Sequence, residues 1–227
     1  MLTAIIVAGG SSRRMGFDKT LALLGDKPVV AHSIAAFEAT QSVQQIIVVG
    51  REDRLADLRG IVAQCEFRKV RHVVAGGRHR QDSVRAGLQQ VAAECEFVAV
   101  HDAARPLVQP AQIELVYEVA RTHGAASLAA PVADTLKRAT NERVVCGSVD
   151  REGLYLMQTP QIFARNLLAE AYEAVRAKNL SITDEISAVE NLGRKVMLVP
   201  NDDFNFKITF PTDLVLAGMV QRQRAAA

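Results

Sequence analysis

The sequence predicts an α/β fold of the doubly wound layer type. Two observations predict it: short β-branched runs recur along the first half of the chain, and stretches with helical apolar spacing stand between them. The first run, Ile5-Ile6-Val7, leads straight into paired glycines. Pro28 to Phe37 follows as a helix, with Val30, Ile34 and Phe37 on one face and Pro28 in its first turn. Ile46 to Val49, Val70 to Val74 and Phe97 to Val100 read as further strands, and their nearly continuous apolar character suits a sheet covered on both faces. Val84, Leu88 and Val91 mark a helical face between the last two. Ile113 to Val119 and Leu167 to Val175 give two more helices, Lys195 to Val199 one more strand, and Asp213 to Val220 a final amphipathic helix expected to pack on the sheet.

One segment interrupts this rhythm. From Asp134 to Asp150 the chain turns polar around Asn141-Glu142-Arg143, which predicts a hairpin arm standing off the body. A two-stranded ribbon is marginal alone, so a second subunit is one source of support. The remainder reads as one domain spanning residues 1–227, without internal repeat or long linker.

Composition narrows the functional classes. With 27 basic and 25 acidic residues, no overall field draws the molecule to nucleic acid or to a membrane surface, so any anion site must be local. Cys65, Cys95 and Cys146 are widely spaced and form no CxxC pair, which speaks against a disulfide framework or a structural zinc. No apolar run nears the ~20 residues of a membrane span, and the N-terminal stretch lacks the basic start of a signal peptide. The expected location is cytoplasmic.

Chemistry gathers where strands end. After the first strand, Ala8-Gly9-Gly10-Ser11-Ser12-Arg13-Arg14-Met15-Gly16-Phe17-Asp18-Lys19 combines glycines, whose N–H groups can approach phosphate oxygens, with three cations. It is neither a Walker loop nor a GxGxxG fingerprint, since five residues separate Gly10 from Gly16 and no Gly-Lys-Ser/Thr follows. His101-Asp102-Ala103-Ala104-Arg105-Pro106 follows another strand; Asp102 suits Mg²⁺ or a substrate hydroxyl and Arg105 a phosphate, although this spacing equally suits a surface ion pair. His101 reads as a structural strand-end residue rather than a base. Gly76 to Ser83 opens a helix, where N–H donors are available to a ligand, or where Asp82 or Ser83 simply caps. Thr183, before a helix, reads as a cap or a ligand contact, and Lys207 as a solvated charge or a site cation. No Ser-His-Asp or Cys-His arrangement is evident.

Taken together, AGGSSRRMGFDK, GGRHRQDSV, VHDAARP, APVADTLKR, VDREGLYLMQTPQIF, ITDE and NFKIT resemble, in order and spacing, the 2-C-methyl-D-erythritol 4-phosphate cytidylyltransferase family of the non-mevalonate isoprenoid pathway. The resemblance implies a Rossmann-like nucleotidyltransferase sheet, a homodimer formed through the projecting hairpin arm, and Mg²⁺ on the CTP phosphates. It implies Arg14, Lys19 and Lys207 as catalytic cations, Ala8, Gly9, Gly10, Gly77 and Ser83 as the nucleotide pocket, and Asp102 where the substrates meet near Mg²⁺. Arg105, Thr183 and Lys207 fall to the acceptor side. Thr135, Arg151 and Thr159 match residues that the arm carries to the neighbouring subunit's site. Arg78 and His79 stand where many relatives carry acidic residues. The rival expectations are a D-ribitol 5-phosphate cytidylyltransferase and a protein that binds CTP without transferring it.

Overall fold

A computed structural model of the chain describes residues 1–10 and 15–226. Its elements run β1 (Leu2–Ala8), β2 (Leu23–Leu24), β3 (Lys27–Pro28), α1 (Val29–Ala39), β4 (Val43–Gly50), α2 (Leu55–Gln64), β5 (Val70–Ala75), α3 (Arg80–Leu88) and β6 (Phe97–Asp102). They continue through α4 (Pro110–His123), β7 (Ala125–Pro131), β8 (Leu136–Ala139), β9 (Val145–Val149), β10 (Tyr155–Ala164), α5 (Arg165–Ala177), α6 (Glu185–Glu190), β11 (Met197–Pro200) and α7 (Pro211–Ala226). Seven strands form one sheet in the order β11-β7-β10-β6-β1-β4-β5.

Strand β1 shows why the apolar runs are continuous. Side chains alternate between the two faces of a strand. Leu2, Ala4, Ile6 and Ala8 therefore enter a core with Ile34 and Phe37 of α1, Leu58 and Ile61 of α2, and Ile113 and Val116 of α4. Ile5 enters the opposite core with Val84 of α3, Leu168 and Tyr172 of α5, and Ile186 of α6. Both faces are covered, so the strand has no polar alternation to display.

The sheet is mixed rather than uniformly parallel. Strands β6, β1, β4 and β5 run parallel. Strand β10 lies antiparallel to both β6 and β7, and β11 is parallel to β7. Neither β7 nor β10 is apparent from the residue pattern. The β7 segment Ala-Ala-Ser-Leu-Ala-Ala has no β-branched side chain, and β10 contains Pro160, a residue that argues against a central strand. Pro160 is accommodated because the β10–β7 register shifts between Met157 and Gln161.

Two local expectations need correction. Pro28 is the residue before α1, with extended backbone, and not part of its first turn. Helix α7 does not pack on the sheet: its buried Ala217 and Val220 join Met15, Leu24, Val29, Leu107 and Ile208 in a separate cluster over the β2–β3 ribbon. The expected arm is present. β8 and β9 pair only with each other, through a turn in which Arg143 takes φ +65°. Val144 and Val145 are both 62% exposed on it, leaving apolar surface uncovered by the rest of the subunit.

Candidate active site

Strands β1, β5 and β6 are parallel, so their carboxyl ends meet at one edge of the sheet, where such folds place ligands. There the chain encloses a cavity of about 690 Å³, lined among the described residues by Gly9, Gly10, Lys19, Gly77, Arg80, Ser83, Asp102 and Lys207, with Arg78, His79 and Thr209 also facing it. Segments distant in sequence thus converge as the glycine loops and strand ends require. Ala8 is buried just behind this lining. Arg14 lies outside the described residues, as do Ser11, Ser12 and Arg13.

The α3 end of the cavity depends on close backbone approach. A Cβ on Gly76 would stand 2.4 Å from Ser83 Oγ, and one on Gly77 2.3 Å from Asp82 Cβ, so side chains at either position would push the turn off the helix. Asp82 does cap α3, its Oδ2 accepting from the His79 N–H at 3.1 Å. Ser83, by contrast, is buried and donates to the His79 carbonyl at 3.3 Å.

Asp102 is the centre of charge. Lys207 Nζ donates to its Oδ2 at 2.7 Å, Arg80 Nε donates to its Oδ1 at 3.2 Å, and Arg105 Nε lies 3.9 Å from Oδ2. Burial alone would raise its pKa, but Arg80, Lys207 and Arg105 outweigh burial and hold the carboxyl well below the usual range. Asp102 is therefore ionised. Lys207 is half-buried in this pair and is not the freely solvated charge that its isolated sequence position allows.

Lys19 is buried and donates from Nζ to the Ile208 carbonyl at 2.7 Å, which links the first loop to the segment bearing Lys207. Arg105 takes a different position from the one its spacing suggests. Its Nη1 and Nη2 donate to the carbonyls of Asn205 and Met157, at 2.8 and 3.1 Å, so it braces the floor and does not line the cavity. Burial pushes its pKa down, against the raising influence of Asp102.

His101 is structural, as its strand-end position suggests. The Arg105 carbonyl can only accept, so Nε2, 3.2 Å away, carries the proton; Nδ1 then accepts from the Thr159 hydroxyl at 3.0 Å. That hydroxyl in turn accepts from the Asp102 N–H at 3.1 Å. Burial dominates the imidazole and pushes its pKa down to about 3, which keeps it neutral.

The expected arm group divides. Thr159 belongs to β10 and is buried beneath Asp102 of its own subunit, so it is not carried by the arm. Thr135 and Arg151 are exposed at the arm's root, with Arg151 Nη1 donating to the Ala133 carbonyl, and neither lines this subunit's cavity. Thr183 is exposed beside α6, its hydroxyl 3.3 Å from that of Ser187, while Asp184 does the capping by accepting from the Ser187 N–H at 3.0 Å.

Two participants escape a reading of the sequence by residue type. Arg80 reaches Asp102 on one side and Glu185 Oε1 on the other, the latter at 2.7 Å, and Glu185 is fully buried. An arginine three residues past paired glycines looks like one more solvated cation, and its acidic partner lies 105 residues away.

As to a metal, no group of three or more His, Cys, Asp or Glu side chains able to hold an ion occurs among the described residues. Asp102 is the one carboxylate among the described residues lining the cavity. This donor set suits Mg²⁺ of the kind held chiefly by substrate phosphates and not by a protein cage.

Comparison with known proteins shows the family and the fold. A cytidylyltransferase of this kind from Desulforamulus reducens, named 2-C-methyl-D-erythritol 4-phosphate cytidylyltransferase, is 40% identical over 98% of this chain and 97% of its own. The crystal structure of 4-diphosphocytidyl-2C-methyl-D-erythritol synthase from Anaerococcus prevotii superposes with a TM-score of 0.86 at 27% identity, covering 98% of this chain and 96% of that one. That of 2-C-methyl-D-erythritol 4-phosphate cytidylyltransferase from Thermus thermophilus gives 0.81 at 31% identity, covering 96% and 98%. The family profile described as "IspD: 2-C-methyl-D-erythritol 4-phosphate cytidylyltransferase" matches residues 2–223, and the chain belongs to that family.

Proposed function

We propose that this chain transfers CMP from CTP to 2-C-methyl-D-erythritol 4-phosphate, giving 4-diphosphocytidyl-2-C-methyl-D-erythritol and pyrophosphate. The observation that carries the reading is the convergence of Lys19, Lys207 and the α3 N-terminus on one cavity whose described lining holds a single carboxylate, Asp102. Such a lining suits two phosphorylated substrates, not a neutral one.

In the proposed reaction an acceptor phosphate oxygen bonds to the α-phosphorus of CTP as the bond from that phosphorus to the pyrophosphate oxygen breaks. Two anions must be brought together, so the demand is for positioning and for charge that is already in place. Backbone N–H groups at Gly9, Gly10 and Gly77, with Ser83, take the nucleotide; Lys19 and Arg14 face the charge that develops on the triphosphate. Lys207, steadied by Asp102, serves the approaching phosphate, with Thr183 on the acceptor side and Arg105 holding the floor. Mg²⁺ is the proposed cofactor, and when bound it neutralises charge on the CTP phosphates beside Asp102.

The proposed assembly is a homodimer in which Thr135 and Arg151 of one arm complete the other subunit's site. Exposed Val144, Val145 and Leu156 on and beside the arm support it, since they leave apolar surface for a second copy. The proposed setting is the cytoplasm, supported by the free thiols of Cys65, Cys95 and Cys146. No described helix is long and apolar enough to cross a membrane.

The deciding experiment is pyrophosphate release with CTP and Mg²⁺, run in parallel with 2-C-methyl-D-erythritol 4-phosphate and D-ribitol 5-phosphate. Release with the first alone is the expected result. Release with the ribitol phosphate alone would reassign the acceptor, and CTP binding without any release would replace the enzyme by a binding protein.

A further inference from the structure

Behind the cavity a buried carboxylate has no direct place in the reaction just described. Glu185 opens α6 with 0% exposure. Its Oε1 accepts from Arg80 Nη1 at 2.7 Å and from the Tyr172 hydroxyl at 2.9 Å, while Oε2 has no hydrogen-bond partner among the described residues. A buried acid with an unsatisfied oxygen costs stability, and an apolar side chain of similar size would pack there at less expense. Stability given up next to a ligand cavity marks a residue retained for what it does to its neighbours.

What it does follows from Arg80. The guanidinium carries five donors in a planar fork and favours gripping one carboxylate through both oxygens. Here it does not. Its Nε reaches Asp102 Oδ1 while Nη1, on the opposite side of the guanidinium, is anchored by Glu185; Asp102 Oδ2 takes Lys207 at 2.7 Å. Each oxygen of Asp102 thus accepts a hydrogen bond from a different cation, with Arg105 Nε a longer 3.9 Å from Oδ2, and the carboxylate plane is set by where these cations stand.

We propose that Glu185 is a positioning residue for the reaction: by anchoring Arg80 through Nη1 it fixes where Arg80 Nε meets Asp102 Oδ1, and so holds the carboxylate that keeps Lys207 beside Asp102 at the cavity. Burial raises the Glu185 pKa, against the lowering influence of the Arg80 charge and of the hydrogen bonds from Arg80 and Tyr172. The inference rests on the reading of Asp102 and Lys207 as substrate-handling residues, but its geometric half stands without any substrate.

The test is a crystal structure of Glu185→Gln together with its steady-state kinetics. Loss of the charge is expected to release Arg80, to shift its Nε off Asp102 Oδ1 and to displace Lys207 Nζ from Oδ2; unaltered positions of Arg80 and Lys207 would overturn the proposal. In kinetics, kcat is expected to fall on the order of 10²-fold, with KM for CTP held within about twofold. In an Asp102→Asn background the same change is expected to have no further effect, because its influence passes through Asp102. A lowered denaturation midpoint with unchanged kcat, or fully additive losses, would make Glu185 a structural residue only. Should Glu185→Gln not fold, Arg80→Lys reaches only one of the two acids, and the same kcat loss is expected; wild-type kcat there would overturn the proposal. If the unaltered protein releases pyrophosphate with neither acceptor, the proposed function falls, while the crystal structure still decides the positioning.

Discussion

The Thr159 hydroxyl accepts the backbone N–H of Asp102 at 3.1 Å, joining two residues 57 positions apart and fixing the strand end from which the Asp102 side chain enters the cavity. Thr159→Val keeps the shape but leaves that N–H and His101 Nδ1 unsatisfied. A stability loss of about 1–3 kcal/mol is expected in denaturant titration, with kcat lowered by roughly tenfold. Thr159→Ser, which restores the hydroxyl, is expected to recover most of both; a Val variant as active and stable as the parent would remove Thr159 from the support of Asp102.

Lys19→Ala and Arg14→Ala are each expected to lower kcat on the order of 10²-fold or more. Far-ultraviolet circular dichroism is expected to stay native for both. Lys19→Ala also strips the Ile208 carbonyl of its buried donor, and about 1 kcal/mol of stability should go with it. Near-parental turnover in both variants would end the electrostatic mechanism.

His101 makes stability depend on pH in a definite direction. Its pKa is pushed from 6.5 down to about 3 by burial, so between these values the unfolded chain takes up a proton that the native state refuses. Native stability is fully present above the unfolded value and falls as pH drops through the window, by about 2 kcal/mol between pH 7 and pH 5. Urea midpoints at the two pH values measure it. A His101→Gln variant, which cannot titrate, should show a flatter profile even if it is less stable throughout, and an equally steep profile would assign the dependence to other groups.

Subunit mixing tests whether the arm works in trans. In a mixed dimer of Lys19→Ala and Arg151→Ala subunits, one site receives both defects and the other receives neither. Random reassembly of the two weak variants should then recover roughly a quarter of the parental activity per site. No recovery, with mixed dimers demonstrated, would mean that Arg151 serves its own subunit.

The β-branched strands and the glycine loops were legible because strand burial on two faces and close backbone approach each leave a mark on local composition. Strands β7 and β10 left none: alanine fills one, and Pro160 sits in the other where the register slips. Lys19, Asp102 and Lys207 are the kinds of residue a phosphate site requires, and the fold brings them together. Arg80 and Glu185 were not legible as a pair, since no local pattern encodes a contact 105 residues long. Thr159 was expected with Thr135 and Arg151 because the family resemblance groups all three with the arm, yet β10 runs back into the sheet and carries it beneath Asp102. The apolar residues of helix α7 do not mark its covered side: Ala217 and Val220 are buried with Met15, Leu24, Val29, Leu107 and Ile208, while Val215, Leu216 and Met219 are exposed.

The hydrogen bond from Lys19 to the Ile208 carbonyl spans 189 positions, and it has a consequence for how the protein comes into being. A ribosome adding about 5–20 residues per second needs roughly 10–40 s to pass from Lys19 to Lys207. Through that interval the first loop, joined partway by Asp102, waits without the cation that completes the pair, so on the proposed roles the nascent chain has no working centre. On the proposed role of Lys207, a message cut short before its codon should yield no partly active product, and length through residue 207 becomes a condition of turnover as strict as any single side chain.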